Sequence, residues 1–348
     1  MTATSLDPVL LGHELAVRDV VQETADAVSI TFDVPADLAD RFVHRPGQFL
    51  TLAVPSERTG RVARCYSLSS APGDAPTVTV KRTPDGYASG WLCAHLRPGA
   101  TLRVLPPAGT FVPHDLAASM VLAAAGSGIT PMISIVRAAL AVPGGRLTLL
   151  YANRDAESVI FADVLDALAA AHPDRFEVRH WLESERGLPT VDGLAELTGP
   201  TGEKPWYLCG PAPFMDVAKQ AAVACGAAPR AVHQEDFHSL VGDPFALAVA
   251  EPAGADDDAA ELEVTLDGRT HLLRWGRSET LVDVMLANGV EAPYSCREGT
   301  CGSCMCTVVD GEVVQGSTEA LAEEDIEDGY VLGCQSRPLG ARVVVEFD

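Results

Sequence analysis

The chain has 348 residues, 47% of them hydrophobic, and a mean hydropathy of +0.13, so it can bury large cores in two or three domains. Its 48 acidic and 25 basic residues give a net charge of −23, which argues against nucleic acid and anionic membrane as partners. No apolar run approaches the roughly 18 residues of a membrane span, and no basic region precedes an apolar core at the N-terminus. We therefore expect a cytoplasmic protein whose cysteines are reduced.

Short strand-like runs fill the first part of the chain. AVSITFDV, QFLTLAV and PTVTVKR are examples, and turns such as RPGQ and APGDAP separate them. Closely spaced strands with glycine and proline between them are typical of a small antiparallel barrel. We place this barrel at residues 10–114.

The barrel contains the segment RCYSLSSAP, which begins at Arg64 and offers an arginine, a phenol and several hydroxyl groups. Arginine can bind phosphate and tyrosine can stack on a flat ring, although a plain strand is the alternative for these letters taken alone. Further on, VKRTPDGYASGWL places Gly86 and Ser89 at the start of a probable helix, and a helix N-terminus suits a phosphate.

RCYSLSSAP, preceded by RPGQF, resembles the R-x-Y-S flavin motif of the ferredoxin–NAD(P)H reductase superfamily. The resemblance implies that Arg64 contacts the flavin phosphates, Tyr66 packs on the isoalloxazine ring and Ser67 hydrogen-bonds near N5. Relatives that use FMN have an arginine-containing, glycine-rich loop where this chain reads DGYASG. The resemblance therefore favours FAD, with FMN as the alternative. It also implies flavin contacts for Cys65, Leu68, Val80, Lys81, Gly86, Ala88 and Ser89.

From residue 115 to 245, apolar strand-like runs alternate with helix-like segments, which predicts an α/β domain around a parallel sheet. Its first strand runs into AAAGSGITPMISI, where Gly126 and Gly128 form a Gly-x-Gly turn before a helix. Small residues at a helix N-terminus allow a pyrophosphate to approach, although a purely structural turn is the alternative for this motif alone. YANRDAESVIF and LCGPAPFM follow later strands, and both resemble the nicotinamide half of the same superfamily.

This second resemblance implies that Thr130 and Cys209 lie close to the nicotinamide, with Cys209 placing its C4 against the flavin rather than acting as a nucleophile. HWLESERG has two glutamates beside Ser184, which favours NADH, with NADPH as the alternative. Glu235 and Phe237 of HQEDF correspond to residues beside the flavin ring in relatives. A core aromatic with surface acids is the alternative there. We take Ser67, Cys209 and Glu235 as candidate catalytic residues, and Gly126, Gly128, Asn153, Arg154, Gly210 and Pro211 as further nucleotide-binding residues.

Residues 246–260 include EPAGADDDAA, which has no apolar periodicity and predicts a linker. Beyond it, ELEVTLDGRTHLLRW predicts a hairpin turning at Asp267 and Gly268. SETLVDVMLANG predicts a short helix with Ser278 as its N-cap and Gly289 after its end.

CREGTCGSCMC concentrates four of the nine cysteines within eleven residues. Cys296-x4-Cys301-x2-Cys304, with Cys334 further on, matches the plant-type [2Fe–2S] spacing, and thiolates are the soft ligands that iron–sulfur clusters need. A zinc site or free cysteines are the alternatives, but zinc more often uses paired C-x2-C motifs. Cys306 does not fit the spacing and is expected in the core. Residues 261–348 resemble a plant-type ferredoxin throughout, which implies a β-grasp fold.

The predicted protein is multidomain: an antiparallel β-barrel flavin domain, an α/β parallel-sheet nucleotide-binding domain, and an α+β β-grasp ferredoxin domain. This order resembles the reductase components of multi-component oxygenases. Several segments, such as LAAAGSGITPMISI, closely resemble reductases that serve Rieske-type 3-ketosteroid 9α-hydroxylases in steroid and cholesterol degradation, and the reductases of phenylacetyl-CoA epoxidase are the alternative.

The resemblance implies electron flow from NADH through FAD and the [2Fe–2S] cluster to a terminal oxygenase. Residues 246–348 carry 21 acidic and six basic residues, which suggests an acidic face on the ferredoxin domain for a basic partner. An ordinary soluble surface is the alternative to such a face. We expect a monomer. A stand-alone diaphorase or redox sensor and a zinc-binding adaptor are the other function classes that the sequence leaves open.

Overall fold

A computed structural model of the chain describes residues 11–237, 239–246 and 258–347. It divides into two compact units. The larger consists of Glu14–Pro107 and Phe111–Ser239, and most of the smaller is Leu240–Asp348. The predicted linker at 246–260 falls mainly on residues 247–257, which lie outside the described residues.

The first half of the larger unit is the predicted antiparallel barrel. Its strands pair in the order β4-β3-β6-β1-β2-β5, and a bridge between Leu68 and Val78 joins the two ends. Buried side chains fill the interior, among them Ile30, Phe32 and Leu50. The strands are β1 (His13–Thr24), β2 (Ala27–Asp33), β3 (Phe49–Ser56), β4 (Gly60–Ser67), β5 (Thr77–Lys81) and β6 (Thr101–Val104), and helix α1 (Tyr87–His95) follows β5.

The second half is a five-stranded parallel sheet in the order β11-β10-β7-β8-β9. Its central strands are almost wholly buried because helices cover both faces. This confirms the predicted α/β domain. The elements are β7 (Met120–Ala125), α2 (Ile129–Ala141), β8 (Leu147–Asn153), α3 (Ala162–Ala171), β9 (Phe176–Leu182), α4 (Glu183–Arg186), α5 (Val191–Thr198), β10 (Trp206–Cys209), α6 (Ala212–Ala224) and β11 (Val232–Glu235).

The strand order of this sheet reverses between β7 and β10. The chain moves from β7 outward to β8 and β9, then returns to place β10 on the other side of β7. In open parallel sheets, ligands bind outside the carboxyl ends of the strands at such a reversal. The turns after β7 and β10, at residues 126–128 and 209–211, are therefore where the fold itself predicts a nucleotide site.

The smaller unit contains the predicted ferredoxin-like α+β fold, with a mixed sheet in the order β13-β12-β18-β14-β16 and a separate pair, β15-β17. Its core is a single cluster that includes Trp275, Leu281 and Val343. The elements are β12 (Ala260–Leu266), β13 (Arg269–Trp275), α7 (Leu281–Ala287), β14 (Met305–Asp310), β15 (Val313–Gln315), α8 (Glu323–Glu327), β16 (Tyr330–Leu332), β17 (Ser336–Pro338) and β18 (Arg342–Glu346).

Two local predictions in this unit have different outcomes. The hairpin turns at Asp267 and Gly268, which have φ values of 50° and 71°, as the predicted two-residue turn requires. The N-cap prediction is wrong: Thr280, not Ser278, caps α7, and its hydroxyl accepts a hydrogen bond from the Asp283 amide at 3.2 Å. Residues 276–279 form a turn that places Ser278 before the first helical amide.

Within the described ranges, no helix combines the length and the hydropathy that crossing a bilayer would require.

Candidate functional site

The turns after β7 and β10 touch through Gly128. A Cβ atom at this position would lie 2.0 Å from the Cys209 carbonyl oxygen and 2.8 Å from the Gly210 nitrogen. Only glycine permits this approach, so the start of α2 rests directly on the end of β10. The two turns that the sequence assigned to the nucleotide are therefore adjacent.

Two hydroxyl groups fix the shape of the first turn. The buried Tyr151 donates to the Gly126 carbonyl at 3.1 Å, and Thr130 donates to the Ser127 carbonyl at 3.0 Å. Thr130 was predicted at this site from the sequence, whereas Tyr151 was not. Tyr151 could have been found from its position at the end of β8, two residues before Asn153.

A cleft of about 280 Å³ opens beside these turns. Asn153 lies in its wall, 4% exposed, and neither polar atom of its amide has a hydrogen bond of good geometry to the described residues. A buried amide without partners is costly unless a ligand supplies them. The lining residues are Lys81, Arg82, Thr83, Pro84, Ala125, Gly126, Ser127, Ala152, Asn153, Arg154, Glu183 and Pro211. The structure thus brings Asn153, Arg154, Gly126 and Pro211 together with Lys81 of the barrel, as a nucleotide site requires.

The predicted flavin motif lies on β4. Ser67 is 3% exposed, and its hydroxyl has no hydrogen-bond partner among the described residues. Burial raises the pKa of Tyr66, so its phenol stays neutral. Arg64 donates to the Ala63 carbonyl at 2.7 Å. The unpartnered Ser67 hydroxyl is the feature of this strand that points to a bound group.

Other predicted flavin contacts have structural partners. Ser89 accepts a hydrogen bond from the Thr83 amide at 3.1 Å and so closes the turn before α1. The side chains of Leu68, Val80 and Ala88 belong to the barrel core, so only their backbone atoms remain for a ligand.

The candidate catalytic residues Cys209 and Glu235 end two neighbouring strands and pair directly across the sheet. Cys209 is fully buried, and burial raises the pKa of its thiol well above the usual value, so it is not a ready thiolate nucleophile. Burial also raises the pKa of Glu235 from 4.5 to about 8, and the Asp236 carboxylate adds to the rise. Phe237 remains 49% exposed. This end of the sheet therefore presents a neutral carboxyl group and an open aromatic ring at neutral pH.

We predict that Glu235 makes stability depend on pH. A carboxyl with a raised folded-state pKa keeps its proton when the unfolded chain has lost it, so its stabilising contribution is present below pH 4.5 and is lost as the pH rises through about 8. Glu235→Gln removes this titration. Urea unfolding at pH 5.5, 7 and 8.5 should show the wild type losing stability relative to this variant as the pH increases.

Asp236→Asn provides the matched control, because it keeps the Glu235 carboxyl but removes the second contribution to its shift. The loss of stability should then end at a lower pH and be smaller in total than in the wild type. Identical pH dependence in the wild type and Glu235→Gln would contradict a raised pKa.

The four predicted cluster ligands are placed together in the smaller unit. Cys296, Cys304 and Cys334 are buried, and Cys301 is partly exposed. Hydrogen bonds between thiols join Cys296 to Cys301 and Cys334, and these bonds lower the pKa of Cys296 and raise those of its partners. Within the described ranges, no group of three or more acidic, histidine or cysteine side chains is arranged to hold a metal ion. The case for a cluster here therefore rests on the four thiols and on the hydrogen bonds between them. Four adjacent cysteines suit a binuclear iron–sulfur cluster.

Backbone amides and small residues complete this pocket. The Glu298 amide points at the Cys296 sulfur at 3.3 Å, and the Cys334 amide at the Cys304 sulfur at 3.4 Å, as sulfur ligands of a cluster require. Gly299 has φ +82°, and a Cβ there would lie 3.0 Å from the Ser317 carbonyl oxygen. The predicted position of Cys306 is confirmed: it is 1% exposed within the hydrophobic core.

The cysteine loop also holds the segment 241–246 of the same unit. The Glu298 carboxylate accepts hydrogen bonds from the amides of Val241 at 2.8 Å and Gly242 at 2.6 Å. Arg297 donates to the Ala246 carbonyl at 2.6 Å and lies over the Tyr294 ring. The hydrogen bonds to Val241, Gly242 and Ala246 could not be predicted from the sequence, because they join segments more than 50 residues apart.

Comparison with known proteins identifies two domain families in the chain. Residues 122–220 match an oxidoreductase NAD-binding domain, and residues 264–339, which include all four cysteines, match a 2Fe-2S iron-sulfur cluster binding domain. Among solved structures, phthalate dioxygenase reductase superposes with a TM-score of 0.55 at 23% identity over 97% of this chain and 98% of its own, which shows the shared fold.

Curated relatives extend over nearly the full length. The ferredoxin reductase component of 3-ketosteroid-9-alpha-monooxygenase from Rhodococcus rhodochrous is 55% identical over 96% of both chains. One component of the 1,2-phenylacetyl-CoA epoxidase from Escherichia coli is 34% identical over 97% of this chain and 98% of its own. Identity above one half along nearly the whole of both chains places this protein in the family of monooxygenase ferredoxin reductase components.

Proposed function

We propose that this protein is the NADH-dependent reductase component of a multi-component oxygenase, and that its partner is a Rieske-type 3-ketosteroid 9α-hydroxylase. The observation that carries the proposal is the 55% identity to a reductase of that name, against 34% to the epoxidase component. The combination of an NAD-binding domain and a 2Fe-2S domain in one chain supports the same class.

We propose FAD as the group that the barrel binds. The unpartnered Ser67 hydroxyl and the neutral Tyr66 ring fit an isoalloxazine, and the start of α1 at Gly86 fits a phosphate. Further contacts are assigned to Arg64, Cys65, Leu68, Val80, Lys81, Ala88, Ser89 and Phe237. The absence of an arginine in DGYASG supports FAD over FMN.

A flavin held by the barrel would supply the chemistry that links two-electron hydride transfer from NADH to one-electron transfer, and a cluster held by Cys296, Cys301, Cys304 and Cys334 would supply one-electron transfer to the acceptor protein. The residues of this chain supply position and electrostatics. Gly128 lets the turn after β7 lie against the end of β10, and the buried Asn153 amide offers polar atoms to the nucleotide in the cleft beside them. Thr130, Cys209 and Glu235 shape the end of the sheet where the nicotinamide would lie, with Glu235 protonated at neutral pH.

We place the oxygenase contact on the ferredoxin domain. Helix α8 and the residues around it carry Glu319, Glu323, Glu324, Asp325, Glu327 and Asp328 with no intervening basic residue. Such a concentration of one charge steers a basic partner and makes association sensitive to salt. We further propose a cytoplasmic monomer with a barrel at 10–114, an NAD domain at 115–245 and a ferredoxin domain at 261–348.

Reconstitution tests the assignment. The purified holoprotein and NADH should support product formation by a 3-ketosteroid 9α-hydroxylase on a steroid substrate, and should support a phenylacetyl-CoA epoxidase poorly. Added salt should slow the coupled reaction while the direct reduction of ferricyanide by NADH changes little. Equal coupling to both oxygenases would contradict the steroid assignment. Ferricyanide reduction without any oxygenase coupling would favour a stand-alone diaphorase.

A further inference from the structure

The outer end of the nucleotide cleft is bounded by the turn between β1 and β2. Ala27 pairs with Lys81 across the sheet, so the preceding residue, Asp26, lies beside the end of β5. A cavity of about 490 Å³ opens there, lined by Asp26, Lys81, Arg82, Thr83, Asp85 and Arg154, among others. Four of these residues also line the cleft beside Gly126: Lys81, Arg82, Thr83 and Arg154. The barrel turn therefore faces the predicted nucleotide site.

Asp26 holds Arg154 across this cavity. One oxygen of its carboxylate lies 3.1 Å from Nη2 of Arg154, and the other accepts a hydrogen bond from the Thr24 hydroxyl at 2.9 Å. The Asp26 side chain is 24% exposed and that of Arg154 is 63% exposed. The carboxylate is thus fixed from within the barrel, and the more exposed guanidinium reaches it from the parallel-sheet half of the unit.

Other charged residues at this end of the cleft also act against an incoming anion. Arg82 donates to the Ala25 carbonyl at 3.2 Å, so the same turn also engages the second arginine. The Arg154 carbonyl accepts from the Ser184 amide at 2.8 Å, which ties Arg154 to the start of α4, where Glu183 enters the cleft wall. An incoming anion would meet two arginines already engaged and three carboxylates, those of Asp26, Asp85 and Glu183. The ammonium of Lys81 is the third cation that lines both cavities.

We propose that Asp26 is a specificity-determining residue that makes the cleft select NADH over NADPH. The inference rests on the proposed function and deepens it. Arginine near the ribose is the usual partner of the 2′-phosphate that distinguishes NADPH. Here that phosphate has to displace Asp26 from Arg154 and then lies close to the released carboxylate. A nucleotide with a free 2′-hydroxyl leaves the ion pair intact.

Asp26→Asn tests this with little risk to folding, since exposed ion pairs contribute little to stability. The substitution keeps the shape and the hydrogen bond to Thr24 but releases the Arg154 charge. The ratio of kcat/KM for NADPH to that for NADH should rise about tenfold, as one added charge-assisted contact would give. In Asp26→Asn/Arg154→Leu the ratio should return to the wild-type value. An unchanged ratio in Asp26→Asn would overturn the proposal.

A binding measurement separates recognition from turnover. Calorimetry on the full-length holoprotein should show tighter binding of adenosine 2′,5′-bisphosphate to Asp26→Asn than to the wild type, with a smaller change for ADP. Asp33→Asn is the matched control, because it breaks the Arg18–Asp33 ion pair at the other end of the same two strands. It should leave the nucleotide ratio unchanged, and a change as large as that in Asp26→Asn would overturn the inference.

Different results would contradict the proposed function and the proposed role of Asp26. A wild-type protein that reduces ferricyanide with neither nucleotide would contradict the proposed function. A protein that uses NADH but responds to Asp26→Asn by an equal change for both nucleotides would refute only the role of Asp26.

Discussion

Replacing Cys301 by serine is expected to eliminate electron delivery to protein acceptors while leaving the reaction of NADH at the flavin intact. Cys301 is the most exposed of the four predicted ligands and touches Cys296 through its thiol. A serine hydroxyl is a harder and weaker ligand for iron than a thiolate. We expect NADH-dependent reduction of the oxygenase to fall at least about 100-fold, since changes to supporting residues alone cost metal sites 10–100-fold.

The measurement needs three readouts. Iron and acid-labile sulfide per protein should decrease, oxygenase-coupled turnover should be lost, and ferricyanide reduction should continue. Cys306→Ala is the control, because Cys306 lies two residues from Cys304 but does not fit the ligand spacing, and its substitution should preserve the cluster. Equal loss of both activities in Cys301→Ser would contradict the order of carriers, and retention of full coupling would contradict the ligand assignment.

The cluster site could be predicted from the sequence because its information is local. Three of its four ligands lie within nine residues, and the glycines that allow the turn lie between them. The hairpin at Asp267 and Gly268 was predictable for the same reason, since two residues determine that turn. The N-cap of α7 was not, because Ser278 and Thr280 are equally suitable and only the path of the turn before the helix decides between them.

Several contacts at the nucleotide site could not be predicted from sequence patterns. The Gly-x-Gly turn and LCGPAPFM predicted two separate loops, but their contact depends on the order of strands in the sheet. The pair formed by Asp26 and Arg154 spans 128 residues and joins the barrel to the parallel-sheet half of the larger unit. No periodicity relates such residues. Resemblance to a family supplied the roles of Ser67 and Asn153, whereas the structure adds that their polar groups are buried without partners.

Gly128→Ala is the second substitution from which we expect a large effect. It should slow the transfer of electrons from NADH into the protein. The added methyl group would overlap the backbone of Cys209 and Gly210, neither of which is a flexible side chain that can turn away. Forcing an extra carbon into a packed site typically costs about 1–3 kcal/mol and moves the backbone. The turn at Gly126 and the end of β10 would then separate. Because misplacement by about 1 Å can cost a factor of 100 in rate, we expect NADH-dependent ferricyanide reduction to fall about 100-fold.

The control for this substitution is Gly90→Ala in α1, where an added methyl group meets no atom within 4 Å. Alanine favours a helix over glycine, so this variant should be at least as stable as the wild type and fully active. Flavin content and cluster absorbance should be normal in both variants, since Gly128 contacts the end of β10 and neither the barrel motif nor the cysteines. The loss in Gly128→Ala should then appear in nucleotide affinity and in the rate of flavin reduction measured by stopped flow. Normal flavin reduction in that variant would show that the contact between the two turns does not position the nucleotide.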